Sequence, residues 1–196
     1  MSPSSVARRF IEVAPLLFTA GWLWSGRRTP DIAHGTRSIS ALGSKGQPFP
    51  GPTLAGQALQ GTAQLVNAEL ARRSGLRALA AALATSGVAT LTATATPLAD
   101  TRQGWVHRAH TLAGGTGMVA FHLAPLIGAA DPRLARRTRR RGLIAFLTAL
   151  PATAYFVHHL ARRGNEGPWY GWSERFFLTV LLAWSTTAPR GYPGNA

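Results

Sequence analysis

The residues of this chain able to do chemistry gather in two places: Asp100, His107 and His110 in one short segment, and Glu174 beside Arg175 in another. A carboxylic acid kept protonated by apolar surroundings can deliver a proton to an alkene or an epoxide, while imidazole and guanidinium groups hold or accept protons nearby. That chemistry needs no metal, thiol or nucleotide. Asp100, Glu174, His107 and His110 are therefore the candidate catalytic residues, and acid-assisted cyclisation or isomerisation is the expected reaction type.

A second set of polar residues is spaced for a helix face. Thr53, Gln57, Gln60, Gln64 and Asn67 recur at steps of four, three, four and three, which at ~100° per residue confines them to an arc of about 80°. Amides on a membrane helix must meet other helices or line a polar cavity, because an unsatisfied polar group in hydrocarbon costs several kcal/mol. Both roles are open at this point, with Thr85, Thr92 and Thr96 as possible partners. Gln57, Gln60, Gln64 and Asn67, with Arg175, Trp169, Trp172 and Ser40, form the candidate substrate-binding set. Developing positive charge on a substrate would find amide dipoles and aromatic rings there.

The histidines allow a rival chemistry. His107 and His110 lie one helical turn apart, His158 and His159 close a later hydrophobic run, and Asp100, Glu166 and His34 fall in loops on the same side. Such a group can bind Zn²⁺, but no HExxH or comparable pattern is present. Interfacial histidines that cap helices are the simpler reading, and no metal is assigned. The chain has no cysteine, so disulfides, thiolate nucleophiles and iron–sulfur clusters are excluded. No cofactor is expected.

The elements that must position these residues are hydrophobic spans. Counting Asp, Glu, Lys and Arg as charges, residues 46–68, 78–99, 109–130 and 142–161 are uninterrupted, each long enough to cross ~30 Å of hydrocarbon as a helix. Two shorter runs, 13–26 and 176–189, reach that length if Glu12 and the Glu174-Arg175 pair enter the helix ends. The expectation is an all-α polytopic bundle of six transmembrane helices at about 10–25, 53–70, 77–96, 104–130, 142–160 and 173–188, forming one integral membrane domain over 1–196. Pro15 marks a kink or local unwinding, and residues 133–141 are an arginine-rich connector. Mean hydropathy is only +0.04, because the second and third helices use Ala, Gly, Thr and amides as buried spans do. Gly114, Gly115 and Gly117 are expected to permit close helix packing.

The net charge of +14 comes from 21 basic residues, one of them lysine. They sit between hydrophobic runs, where the positive-inside rule accounts for them and nucleic-acid binding is not implied. Twelve of the 21 fall on the side of the termini and the second and fourth connectors. Both termini are therefore expected in the cytoplasm of a bacterial cell, with the protein in its inner membrane and the Trp169–Trp172 aromatics at the outer interface. The expected partners are the lipid bilayer and a lipophilic small molecule.

Three segments carry a family resemblance: Arg37-Ser38-Ile39-Ser40-Ala41-Leu42-Gly43 with Gly46-Gln47-Pro48; Thr96-Pro97-Leu98-Ala99-Asp100 leading to His107 and His110; and Gly171-Trp172-Ser173-Glu174-Arg175. In this order they resemble the bacterial membrane proteins grouped as domain-of-unknown-function family 998, over about Val13 to Ala188. The resemblance implies six helices and no general activity. Thr96 stands where a bulky apolar residue commonly precedes the proline, and the second helix is unusually polar.

The leading functional expectation is an enzyme acting within the bilayer on an isoprenoid- or lipid-like substrate. The alternatives are a non-catalytic lipid- or small-molecule-binding protein or complex subunit, in which the amide stripe is packing, and a metal-dependent lipid hydrolase using the histidines. A transporter is disfavoured by small size and the lack of an inverted repeat.

Overall fold

A computed structural model describes residues 3–29, 37–98, 104–163 and 169–194. The described elements are all helical: α1 (Pro3–Arg27), α2 (Ile39–Leu42), α3 (Gly51–Arg73), α4 (Arg77–Ala95), α5 (Trp105–Ala130), α6 (Arg136–Arg163) and α7 (Tyr170–Thr187), then a 3-10 turn at Ala188–Gly191. The expected six-helix count thus becomes seven: six long helices and the single turn α2. Three of the long ones, Arg77–Ala95, Trp105–Ala130 and Arg136–His159, are long and apolar enough to cross a membrane by length and composition. The other three carry charges or amides, Arg8, Arg9 and Glu12 in α1, the glutamine stripe in α3, and Glu174 with Arg175 in α7, which lowers their hydropathy without shortening them.

Each long helix packs on its chain neighbours, α3 on α1 and α4, α5 on α4 and α6, α7 on α6, and α1 returns to α7. The six therefore form a ring in chain order. The short links 74–76 and 131–135 make α3–α4 and α5–α6 antiparallel neighbours. The α3–α4 seam is close: a Cβ on Gly87 would lie 2.8 Å from the Gly61 carbonyl oxygen, and one on Gly61 would lie 2.9 Å from Leu91. Only glycines let these backbones approach so closely.

Burial is inverted relative to a water-soluble bundle. Leu112, Val119 and Leu123 on α5 and Leu143, Leu147, Leu150 and Val157 on α6 are exposed, while Gln60, Gln64, Asn67, Ser86, His110 and Glu174 are buried. The α6 residues recur at helical steps of four, three and seven, which makes one apolar outer stripe. Such a surface in water would be a large aggregating patch, whereas in hydrocarbon it costs nothing. The chain has the form of a helical membrane protein.

Several element boundaries differ from expectation. Residues 136–141 are the first turns of α6 rather than part of a connector; arginine is a good helix former and its long side chains reach outward to water from a helix end. The α5–α6 connector shrinks to 131–135, where Asp131 pairs with Arg133 at 2.7 Å. Helix α1 begins at Pro3 and runs through Pro15 as continuous helix. Helix α7 begins at Tyr170, three residues earlier than expected, because that ring is drawn into the core at 1% exposure. Residue Trp169 turns the chain into it with φ of 65°.

Two apolar clusters divide the ring. One, around Leu70, Leu76, Leu79, Leu83, Leu134 and Trp184, seals the end that holds the first turns of α1, α4 and α6. The other, around Phe18, Ile39, Phe121, Phe156, Tyr170 and Phe177, lies toward the opposite end, under α2.

Candidate functional site

Beside the second cluster the ring encloses a partly open cavity of about 160 Å³, bordered by residues of all seven helices. Its polar wall comes mainly from α3 and α4. Gln57, Gln60 and Gln64 occupy successive turns of α3 and all line the cavity. Gln64 Oε1 accepts hydrogen bonds from the Ser86 hydroxyl at 3.2 Å and the Thr90 hydroxyl at 3.3 Å, so this amide both knits α3 to α4 and faces the cavity. Gln60 is 5% exposed, and its Oε1 has no hydrogen-bond partner among the described residues. A buried amide oxygen without a partner costs about 1–3 kcal/mol, a cost a ligand hydroxyl or a bound water would remove.

The ends of the amide stripe do something else. Asn67 is 1% exposed, donates to the Ser185 carbonyl at 3.4 Å and accepts from the Tyr192 hydroxyl at 2.8 Å. It ties α3 to α7 and the C-terminal segment, away from the cavity. Thr53 is likewise buried outside it. The expected partners on α4 were the wrong face: Thr85 and Thr92 are exposed, and the Thr92 and Thr96 hydroxyls return to their own helix at Val88 and Thr92. Ser86 and Thr90, one turn apart, are the residues that meet the glutamines.

Glu174 enters from the first turns of α7. It is buried, lines the cavity, and its Oε2 accepts the Ile39 backbone N–H at 2.5 Å. That bond anchors α2, whose Ser40 and Ile39, with Ser38, close the cavity on one side. Arg175 points elsewhere: its Nη1 donates to the Arg37 carbonyl at 3.0 Å and the Gly171 carbonyl at 2.8 Å, and its guanidinium lies over the Trp22 ring at 5.1 Å. It is buried but does not border the cavity. Glu174 and Arg175 together therefore hold the 37–42 segment down.

His110, near the start of α5, is the cavity's only imidazole among the described residues. Its Nδ1 lies 3.0 Å from the Ala93 carbonyl and 2.9 Å from the Thr96 carbonyl. Both are acceptors, so Nδ1 must carry the hydrogen, and in the neutral ring Nε2 is left as an acceptor. Pro97 has no N–H to offer the Ala93 carbonyl four residues before it, and the imidazole takes up that acceptor together with the Thr96 carbonyl at the end of α4. His107 does not line the cavity.

The remaining wall is aromatic. Phe156 stacks on Tyr170 with ring centroids 4.3 Å apart and meets Phe177 edge-on at 5.6 Å, and Phe18 and Phe121 complete the border. These residues come from four helices at no common spacing, which leaves no signal in the sequence. Gly114 and Gly115 also border the cavity, and a Cβ at either would meet nothing within 4 Å. They make space, whereas Gly117, which borders the cavity too, packs against Ala89 as expected of all three.

Trp169 and Trp172 face outward, 69% and 51% exposed. His122 bonds Thr153 at 3.1 Å away from the cavity, and His159 packs on Tyr155. Among the described residues no group of three His, Cys, Asp or Glu is placed to hold a metal ion. Asp100, His34 and Glu166 lie outside the described residues.

A family model for a protein of unknown function, DUF998, matches residues 13–189. No curated protein and no solved structure matches the chain.

Proposed function

We propose, for a chain that belongs to the DUF998 family of proteins of unknown function, an enzyme that rearranges a lipophilic, isoprenoid- or lipid-like substrate inside the bilayer. The observation that carries this is Glu174, the one buried carboxyl among the described residues, in a cavity lined by aromatic rings and three glutamines, in the interior of a bundle whose outside is apolar. All six long helices span the bacterial cytoplasmic membrane, with both termini inside and α2 toward the outer face. A cavity of ~150 Å³ holds a molecule the size of benzene. The reacting end of a substrate enters, and the remainder of a long chain stays in the bilayer.

In the proposed step the Glu174 O–H bond breaks and a C–H bond forms at one alkene carbon, leaving positive charge on the other. His110 Nε2, held as an acceptor by the carbonyls on Nδ1, takes a proton from the neighbouring carbon and the double bond re-forms in a new place. Attack by a second alkene of the same molecule before that proton is lost closes a ring and moves the positive charge onto it, and His110 Nε2 then takes a proton from a carbon beside the new cationic centre, which leaves a neutral cyclic alkene. Solvent exchange then returns His110 and Glu174 to their starting protonation states. The rings stabilise the cation by their quadrupoles.

A proton delivered from an exchangeable carboxyl labels the product. Membranes holding the wild-type protein, incubated in D₂O with a mixture of short polyprenyl alcohols, should yield an isomeric or cyclic product carrying one carbon-bound deuterium, and Glu174→Gln membranes should not. The Glu174–Ile39 bond also favours a second reading, a non-catalytic lipid- or small-molecule-binding protein in which Glu174 only fastens α2. Retention of ligand without deuterium incorporation would support it over catalysis.

A further inference from the structure

The chain carries 21 basic residues against seven acidic ones, yet none of the described residues bordering the cavity is a lysine or arginine, and one of them is a glutamate. Local charge there runs opposite to that of the whole protein. Of the two Glu174 carboxylate oxygens, Oε2 is used by Ile39, and Oε1 has no hydrogen-bond partner among the described residues. The adjacent Arg175 donates to backbone carbonyls and lies over the Trp22 ring outside the cavity lining, and its charge is also felt by Glu174.

The cavity that Glu174 borders is also lined by Phe18, Phe121, Phe156, Tyr170 and Phe177. Once it has given up its proton, a carboxyl in a cavity lined by aromatic rings and by no lysine or arginine is the chemistry that recognises an ammonium ion bearing alkyl groups: the rings replace water, and the carboxylate supplies the counter-charge. A hydrocarbon ligand would need the rings alone. His110 does not oppose a cation, since its Nδ1–H is turned to carbonyls and its Nε2 presents a lone pair.

We propose that the cavity is a receptor for a lipophilic ammonium ion, a tertiary or quaternary amine with an aromatic or branched apolar body. This rests on the proposal that the cavity takes a lipophilic ligand, and it adds the charge. It is also what an enzyme of the proposed kind requires, because a site that holds a carbocation after proton transfer binds its stable ammonium counterpart more tightly than a neutral substrate.

Benzyltrimethylammonium and neopentylbenzene have the same shape and heavy-atom count and differ by one charge. Calorimetric titration of the full chain in non-ionic detergent, referenced to empty micelles, should give at least about tenfold tighter binding of the ammonium, ~1.4 kcal/mol. In Glu174→Gln the ratio should fall to about one while neopentylbenzene binds as it does to wild type. Should that variant not fold, Glu174→Asp, which keeps the charge, should keep the preference. Equal affinities in the wild type, or a preference that survives Glu174→Gln in folded protein, would overturn the ammonium assignment and leave an apolar cavity. Failure of both probes to bind would remove the ligand cavity and the ammonium assignment together.

Discussion

Gly114 and Gly117 are three residues apart on α5 and are expected to respond oppositely to the same substitution. Both border the cavity, but a Cβ at Gly114 meets nothing within 4 Å, whereas one at Gly117 lies 3.0 Å from Ala89 Cβ and 3.5 Å from the Ser86 carbonyl oxygen. Gly114→Leu should gain about 0.8 kcal/mol of helix propensity, worth roughly 2–3 °C in Tm for a chain of this size. Its four added carbons take space from a ligand. At ~0.3 kcal/mol per displaced ligand atom they remove ~1.2 kcal/mol, about an eightfold loss in affinity. Gly117→Leu should instead cost about 1–3 kcal/mol by forcing α4 and α5 apart. Thermal unfolding in detergent, followed by size-exclusion profile, together with neopentylbenzene titration separates the two. If Gly114→Leu destabilised the protein as much as Gly117→Leu, or left ligand affinity untouched, the position would be a packing contact and the cavity assignment would be wrong.

The amide stripe gives a similar contrast: Gln60→Leu should keep or raise Tm because a buried unpartnered oxygen is removed, while Asn67→Leu, which strands Tyr192 and Ser185, should lower stability by about 1–3 kcal/mol. Asp131, in the α5–α6 connector, is held below the usual carboxylate range mainly by its hydrogen bond to Arg133. A carboxylate depressed in this way stabilises the fold above its unfolded value near 3.8 and ceases to do so as pH falls through its folded value. Asp131→Asn should therefore lower Tm slightly at pH 7, and the difference from wild type should vanish in strong acid; a constant difference at every pH would disconnect Asp131 from the effect. Cysteines introduced at Lys45 and Arg137, both exposed, should label from opposite sides of sealed cells, and labelling of both from outside would contradict the proposed topology.

Length and periodicity of apolar runs were sufficient to place the six long helices, because hydrocarbon demands intact backbone hydrogen bonding and so long, regular elements. The ends were less legible. Arg136 to Arg141 look like a loop when charge is taken as a boundary, yet nothing prevents arginine from continuing a helix beyond the hydrocarbon. Helical spacing brought Gln57, Gln60 and Gln64 to one face, and an acid beside Arg175 in the first turns of the last helix drew attention to Glu174. Neither pattern separates cavity-lining residues from those that fasten helices, which is why Asn67, on the same stripe, turns out to bond Tyr192. The aromatic wall was invisible for a different reason. Phe18, Phe121, Phe156, Tyr170 and Phe177 converge only through the closure of the helix ring, and phenylalanines on membrane helices face lipid as readily as they face a core.

The central claim is that the bundle interior holds a lipophilic molecule. Organic extraction of protein purified from its membrane in mild detergent, followed by mass spectrometry, tests it directly when wild type and Gly114→Leu are compared. The wild type should yield a defined compound in near-stoichiometric amount, and Gly114→Leu should lose it at unchanged bulk lipid. Identical extracts from the two proteins would contradict it.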